Sequence, residues 1–163
     1  MIAYIRTSLF LAAFYGGSLI IVPVIALCGV FGQEAIIWGS MMWARWHRVC
    51  ARYLLGLSIR IEGEIPRGSY LFAIKHESGF EAVDTLALFH RPAVVFKKEL
   101  IDIPVWGWVA TRHGVIPIDR DAGAAAVRQM VAAGKAAIAD NRPIILFPEG
   151  TRTPHGEKPA LRA

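Results

Sequence analysis

Cysteine is scarce throughout this sequence, and charged side chains are missing from a long segment near its N-terminus. Each of these features argues against a class of protein. Only two of the 163 residues are cysteines, Cys28 and Cys50, and they lie in or near apolar sequence without the spacing of metal ligands. The sequence therefore predicts buried free thiols, with no disulfide framework and no metal site. No acidic or basic side chain occurs in residues 7–33, and 55% of all residues are hydrophobic, which is high for a soluble domain.

The basic residues lack the arrangement that nucleic-acid binding requires. The formal net charge of +5 favours an anionic partner, whether phospholipid, nucleic acid or phosphorylated metabolite. Beyond Arg60, however, the cations stand singly after short apolar runs and form no basic stripe with stacking aromatics. We therefore expect a membrane or a small anionic ligand as partner, and no nucleic acid.

The uncharged N-terminal segment is long enough to cross a bilayer. Residues 8–31 read SLFLAAFYGGSLIIVPVIALCGVF, which exceeds the ~20 apolar residues that a spanning helix needs. The Gly16-Gly17 pair weakens this interpretation, as does Pro23, which removes one helical hydrogen-bond donor. We interpret the segment as a retained membrane anchor, spanning or re-entrant. A secretory signal peptide with an unusually long apolar core is the alternative.

Residues 34–60 have a helical periodicity of their own. The apolar stripe and the arginines beside it are Trp38, Met42, Trp46, Val49 and Tyr53, with Arg45, Arg48 and Arg52. Such a pattern is typical of a helix lying in the membrane interface with its arginines reaching for lipid phosphates, although a core-facing helix would look similar. Residues 1–57 are thus predicted to be a membrane anchor and an interfacial helix. The arginines after the apolar run place the remainder on the cytoplasmic face of the inner membrane.

After Gly56, short apolar runs alternate with longer helical ones. The candidate strands are residues 58–61, 70–74, 93–96, 115–118 and 144–147, and the candidate helices are residues 80–89, 105–111 and 122–140. This alternation predicts an α/β fold over residues 58–163, with a central, mostly parallel sheet flanked by helices.

Polar side chains follow the predicted strands at their carboxyl ends. Right-handed crossovers bring those ends to one edge of a parallel sheet, where open α/β sheets bind ligands. His76 follows the second strand, Lys97 the third, Arg120 the fourth, and Glu149 and Arg152 the fifth. We therefore expect an imidazole, carboxylates and three cations to share one pocket.

His76 stands five residues before Glu81 at the start of a predicted helix. If His76 lies in the loop and Glu81 reaches back from the first turn, the acid holds one ring nitrogen and the other is left to take a proton. This spacing alone is weak evidence, because a surface or capping histidine explains it better. Asp84, nearly one turn further along, is the alternative partner.

Residues 147–152, FPEGTR, follow the last predicted strand. Gly150 permits close approach of a ligand, and Arg152 can hold a phosphate through two parallel hydrogen bonds. A solvated turn would explain the proline and glycine, but not an apolar strand that ends directly in a polar cluster. Asp119 and Arg120 end the preceding strand in the same way; a helix cap and a surface ion pair are the respective alternatives.

Taken together and in order, these motifs resemble those of the 1-acylglycerol-3-phosphate acyltransferase family, the PlsC-like glycerolipid acyltransferases. The resemblance covers residues 59–152. It matches the His-x4-Asp block in altered form at His76 and Glu81, the second block at residues 114–120, and the FPEGTR block unchanged. The family continues to a further strand with a Val-Pro-Val-like block, so we expect the domain to be incomplete at its C-terminus.

The resemblance implies transfer of a fatty acyl group from acyl-CoA or acyl carrier protein to the sn-2 hydroxyl of lysophosphatidate, giving phosphatidate in phospholipid synthesis, without a cofactor. His76 is then the general base and Glu81 its partner; Ser78 as a nucleophile is less favoured. The implied substrate-binding residues are Lys97, Arg120, Glu149, Gly150, Thr151 and Arg152. Two alternatives stay open: acyl transfer to another lysolipid, and a non-catalytic membrane module that binds anionic lipid.

Overall fold

The structure, a computed structural model, describes residues 1–157 and begins with two helices. Helix α1 spans Ile2–Cys28, a 3₁₀ turn spans Gly29–Phe31, helix α2 spans Gln33–Cys50, and a π-helical turn extends it over Ala51–Leu55. Gly56 ends this turn in the left-handed conformation, with φ of 75°. The two helices run antiparallel, since Arg6 reaches the carbonyl of Leu54 while Gly29 lies against Ile36. They are called the hairpin below.

Helix α1 is continuous, so neither the glycine pair nor Pro23 interrupts it. Gly17 serves the approach of the two helices, because a Cβ there would lie 2.5 Å from Nε1 of Trp46. The indole of Trp43 donates to the Ser18 hydroxyl at 2.8 Å. Within the described residues, α1 with the turn after it is the one helix long and apolar enough to cross a membrane, and only 17% of its most apolar window is buried.

Most of the predicted interfacial stripe on α2 is exposed. Trp38, Met42, Val49 and Tyr53 face outward. The opposite side of α2 buries its side chains against α1 and against the rest of the chain. Two members of the prediction differ. Trp46 turns onto Gly17 of α1. Arg48 turns inward to Asp84 at 2.5 Å, and so is not available to lipid phosphates.

The rest of the described chain is built around one parallel sheet. Strands β1 to β4 are Leu71–Ala73, Ala93–Lys97, Ile116–Ile118 and Ile144–Leu146, in the order β1-β4-β2-β3. Helices α3, α4 and α5 are Phe80–Leu88, Trp106–His113 and Ala124–Ala139. All three strand pairings are parallel, which confirms the predicted α/β class. These elements are called the sheet domain.

The predicted strand at residues 58–61 was wrong. Its apolar side chains, Ile59 and Ile61, are 40% and 54% exposed, and no strand pairs with it within residues 1–157. Short alternation alone does not form a strand, because the backbone also needs a hydrogen-bonded neighbour. Helix α5 starts two residues later than predicted, because Arg120–Ala122 forms a 3₁₀ turn and Gly123 then redirects the chain at φ of 52°.

The hairpin and the sheet domain share a hydrophobic core. Val22 and Ile25 of α1, Ile36 of α2 and Val109 of α4 form one buried cluster. A second cluster, which includes Ala93, Ile116 and Ala137, lies between the sheet and α5. The hairpin is therefore packed onto the domain as a wall of it and is not a flexible tether.

Candidate active site

The loops after all four strands meet at one edge of the sheet, as parallel pairing requires. His76 follows β1, and residues 147–152 follow its neighbour β4. Lys97 ends β2, the next strand, and Arg120 follows β3 at the far side of the sheet. Arg152 follows β4, which is next to β1, whereas Arg120 follows β3, three strand spacings or about 14 Å from β1. In the sheet order, Arg152 is therefore closer to His76 than Arg120 is.

Glu81 lies in the first turn of α3 and reaches back to the imidazole of His76. Its Oε1 is 2.8 Å from Nδ1 of His76 and accepts hydrogen bonds from the backbone N–H groups of Glu77 and Ser78, each at 2.7 Å. Its Oε2 accepts from the Ser78 hydroxyl at 2.7 Å. This is the geometry expected if His76 lies in the loop and Glu81 reaches back from the first turn of α3.

The carboxyl group of Glu81 is held in its charged form. Burial alone would raise its pKa, but hydrogen bonds from Ser78 and His76 outweigh burial and lower the pKa below its usual range. An ionised carboxylate can only accept, so Nδ1 of His76 carries the proton and the lone pair of the neutral ring lies on Nε2. No group in residues 1–157 hydrogen-bonds to Nε2, which leaves it free to accept a proton.

Two residues of the segment after β4 hold His76 from other sides. The Phe147 ring lies against the imidazole, with centroids 4.5 Å apart and planes 33° apart. The backbone N–H of Thr153 donates to the His76 carbonyl at 2.8 Å. Sequence reasoning missed Thr153, which stands just beyond the FPEGTR motif and has no signal of its own.

Ser78 and Asp84, the alternative nucleophile and the alternative acid, have other partners. The Ser78 hydroxyl donates to Glu81 and accepts from the backbone N–H of Phe80, so it has no bond to the base that a nucleophilic serine requires. Asp84 forms two hydrogen bonds to Arg48, at 2.5 and 3.0 Å. The prediction of Asp84 as a fallback partner of His76 was therefore wrong.

The FPEGTR segment forms a tight turn with one buried acid. The N–H of Gly150 donates to the carbonyl of Phe147 at 3.0 Å, and Gly150 has a φ of 65°, which favours glycine. Glu149 is 7% exposed, and within the described chain its Oε2 has no hydrogen-bond partner. A buried oxygen without a partner is suited to accept a hydrogen bond from a ligand. Thr151 and Arg152 are exposed.

The cations at this edge of the sheet differ in whether they form ion pairs. Lys97 pairs with Glu99 at 2.9 Å, and the neighbouring lysine pairs with Asp119 at 3.3 Å. Asp119 also accepts from the backbone N–H of Asp121, so the capping alternative holds for this residue. Arg120 is exposed and forms no ion pair within residues 1–157. Residues 74–79, between β1 and α3, form the histidine loop. The structure brings Arg152, not Lys97 or Arg120, to the cavity that this loop lines.

A cavity of about 860 Å³ separates α1 from the histidine loop. Ser78, Gly79 and Arg152 line it on the side of this loop, and its walls are mainly apolar. The wall residues include Phe14, Leu19, Val22, Trp43, Val83, Ile103 and Trp106. The site therefore joins a base and a cation to a space for an apolar chain.

Comparison with known proteins gives the family. The family model described as Acyltransferase matches residues 58–162. The chain belongs to this acyltransferase family. The match includes the His76–Glu81 pair and the whole FPEGTR segment.

The curated relatives of the chain include proteins with two different enzyme names. The chain is 29% identical over 117 residues to a 1-acyl-sn-glycerol-3-phosphate acyltransferase of Pseudomonas aeruginosa, covering 71% of this chain and 46% of the relative. With the protein of that name from Helicobacter pylori it shares 34% over 115 residues, 68% of this chain and 48% of the relative. A lyso-ornithine lipid O-acyltransferase of Rhizobium meliloti is 28% identical over 151 residues, 93% of this chain and 50% of the relative. The chain thus spans about half the length of these relatives, and no solved structure matches it significantly.

Proposed function

We propose that this acyltransferase moves a fatty acyl group from acyl-CoA or acyl carrier protein to the sn-2 hydroxyl of lysophosphatidate. The observation that carries the proposal is the free Nε2 of His76, backed by Glu81, in the loop whose residues Ser78 and Gly79 line an apolar cavity. The names of the Pseudomonas and Helicobacter relatives support lysophosphatidate as the acceptor.

In the proposed reaction, Nε2 of His76 removes the proton of the acceptor hydroxyl while its oxygen attacks the thioester carbonyl. Glu81 stabilises the imidazolium that forms, because its carboxylate is already charged and hydrogen-bonded to Nδ1. The carbon–sulfur bond then breaks, and the imidazolium returns the proton to the thiolate. General-base assistance of this kind contributes about 10²–10⁴-fold. No acyl-enzyme is required, which agrees with the engagement of the Ser78 hydroxyl elsewhere.

The phosphate of the acceptor binds chiefly to Arg152 in this proposal. Arg152 lines the cavity beside the histidine loop, and its guanidinium can hold a phosphate through two parallel hydrogen bonds. Lys97 at the end of β2 and Arg120 after β3 lie further from β1 and supply the wider positive field. Glu149 accepts a hydrogen bond from the glycerol or orients a cation, while Gly150 and Thr151 shape the turn that meets the acceptor.

The apolar cavity holds an acyl chain in this proposal. The cavity-lining part of α1 runs from Phe10 to Pro23, which spans about 20 Å at the rise of an α-helix. Because α1 forms this wall and exposes its other apolar side chains, an acyl chain can reach the cavity from a bilayer without crossing water. We place the hairpin in the inner membrane and the sheet domain on its cytoplasmic face.

A second candidate acceptor is lyso-ornithine lipid. The Rhizobium relative with that name aligns with 93% of this chain, so the alignment includes most of the hairpin. A non-catalytic lipid-binding module is less favoured, since Arg48 is paired internally and a His–Glu pair with a free nitrogen serves no purpose in lipid binding alone.

The test is a panel of acceptors presented to the purified full chain in lipid nanodiscs, with acyl-CoA and acyl carrier protein as separate donors. We expect turnover on lysophosphatidate at least tenfold above that on lyso-ornithine lipid and lysophosphatidylcholine. Turnover on lyso-ornithine lipid alone would support the second candidate. Absence of transfer to any acceptor would leave the non-catalytic module as the function.

A further inference from the structure

One ion pair joins the hairpin to the helix that carries Glu81, and the proposed reaction does not use it. Arg48 of α2 forms two hydrogen bonds to Asp84 of α3, at 2.5 and 3.0 Å. The Asp84 side chain is only 5% exposed and that of Arg48 is 30% exposed. A buried acid of this kind depends strongly on its partner, because removal of one member leaves an uncompensated charge.

The pair lies close to the proposed dyad. Asp84 follows Glu81 by three residues on α3, so the two side chains project from the same region of a helix surface. Phe80, directly before Glu81, packs against His47 of α2 with ring centroids 4.8 Å apart. Two neighbouring residues of α2 therefore hold α3 on either side of Glu81.

Helix α3 is short enough to need this support. It has only nine residues. The Ser78 hydroxyl caps its start by accepting from the backbone N–H of Phe80, but helices of this length are marginal without tertiary packing. Its orientation decides whether Glu81 reaches Nδ1 of His76. A misplacement of about 1 Å at a catalytic group can cost roughly 10²-fold in rate.

We propose that Arg48 is a positioning residue for the His76–Glu81 dyad. By holding Asp84 it keeps α3 in the orientation in which Glu81 bonds to His76, so that the seating of the hairpin on the sheet domain controls catalysis. The proposal rests on the proposed function of the dyad.

The expected effect is on turnover and not on acceptor affinity. Arg48→Ala and Arg48→Lys should each lower kcat by up to about 5- to 30-fold, the loss expected when the charge of Glu81 itself is removed, and leave the acceptor KM unchanged. Lysine keeps the charge but cannot form the paired hydrogen bonds of the guanidinium, so it serves as the milder variant if alanine impairs folding. Arg45→Ala is the matched control, because Arg45 is exposed on the same helix and its side chain hydrogen-bonds only to the sulfur of Met42 within the described chain.

The decisive experiment repeats Arg48→Lys in a Glu81→Gln background. A residue that acts through Glu81 causes little further loss once that carboxylate is gone, whereas a residue that only stabilises the fold causes the same fold-loss in both backgrounds. Independently of activity, the proton on Nδ1 of His76 should give a downfield NMR resonance in the wild type and in Arg45→Ala that is lost in Arg48→Lys.

Equal fold-losses in the two backgrounds, or a resonance that Arg48→Lys leaves unchanged, would overturn the proposal. A wild-type chain that acylates no lysolipid would refute the proposed function, while the NMR comparison would still test the coupling between Arg48 and the dyad.

Discussion

Replacement of Glu81 by glutamine removes the charge behind His76 and changes little else. The carboxylate accepts hydrogen bonds from two backbone N–H groups, the Ser78 hydroxyl and the His76 ring. Glutamine has nearly the same shape and its oxygen keeps the backbone bonds, so the loop should stay in place. The imidazolium of the transition state then loses a charged acceptor and keeps a neutral one.

The size of the effect follows from the difference between those two acceptors. A hydrogen bond to a charged group contributes about 1–2 kcal/mol more than one between neutral groups. At about 1.4 kcal/mol per tenfold in rate, Glu81→Gln should lower kcat roughly 5- to 30-fold. The acceptor KM should change little, because the dyad does not bind the phosphate.

The assay is initial-rate kinetics on lysophosphatidate with a saturating donor, with Glu81→Asp as the matched variant. Aspartate keeps the charge but has a shorter side chain, so the decrease in kcat of Glu81→Asp reports the effect of distance. The decrease in kcat of Glu81→Gln reports the effect of charge. If Glu81→Gln keeps kcat within twofold of the wild type, the role of Glu81 in stabilising the imidazolium is refuted.

Three further predictions concern the acceptor site, the fold and pH. Arg152→Ala should raise the acceptor KM about tenfold or more with little change in donor saturation, whereas Arg128→Ala on the exposed face of α5 should do neither; equal effects would discard the phosphate contact. Gly107→Ala should cost at least about 2 kcal/mol, seen in thermal unfolding, because its Cβ would collide with the backbone carbonyl of Ile101; an unchanged melting temperature would contradict that packing. Burial and nearby arginines lower the pKa of His113 to about 4. As pH falls, the unfolded chain therefore takes up a proton at His113 before the folded chain does. The free energy of unfolding should decrease by roughly 3 kcal/mol between about pH 6.5 and about pH 4. His113→Gln should flatten that part of the stability–pH curve, and a curve that keeps its slope would count against the assignment.

The parallel sheet and the dyad were predictable because both depend on short-range patterns. Apolar runs that alternate with helical ones need crossovers, and crossovers bring the strand ends to one edge, so His76 and Arg152 could be placed on the same edge before any coordinates. The hydrogen bond between His76 and Glu81 was expected from the combination of motifs, since their five-residue spacing alone was weak evidence. The resemblance to a known family added the chemistry, which spacing alone did not supply.

The contacts between the hairpin and the sheet domain could not be predicted from the same patterns. Arg48 was assigned to lipid phosphates because its helix has an amphipathic stripe, and periodicity does not tell which arginine turns toward a buried acid 36 residues away. The cavity likewise has walls from α1, α2 and two loops, and no local sequence encodes such a space. The strand prediction at residues 58–61 was wrong for a related reason. Alternation within a short stretch does not tell whether another strand lies beside it to pair with.

The central claim is that Nε2 of His76 takes the proton of the acceptor hydroxyl, and His76→Ala tests it most directly. The kcat for acyl transfer by the purified chain in nanodiscs should fall by at least about 10²-fold, with nanodisc binding unchanged and with His90→Ala, an exposed histidine elsewhere on the domain, equal to the wild type. Turnover by His76→Ala within a few-fold of the wild type would contradict the account.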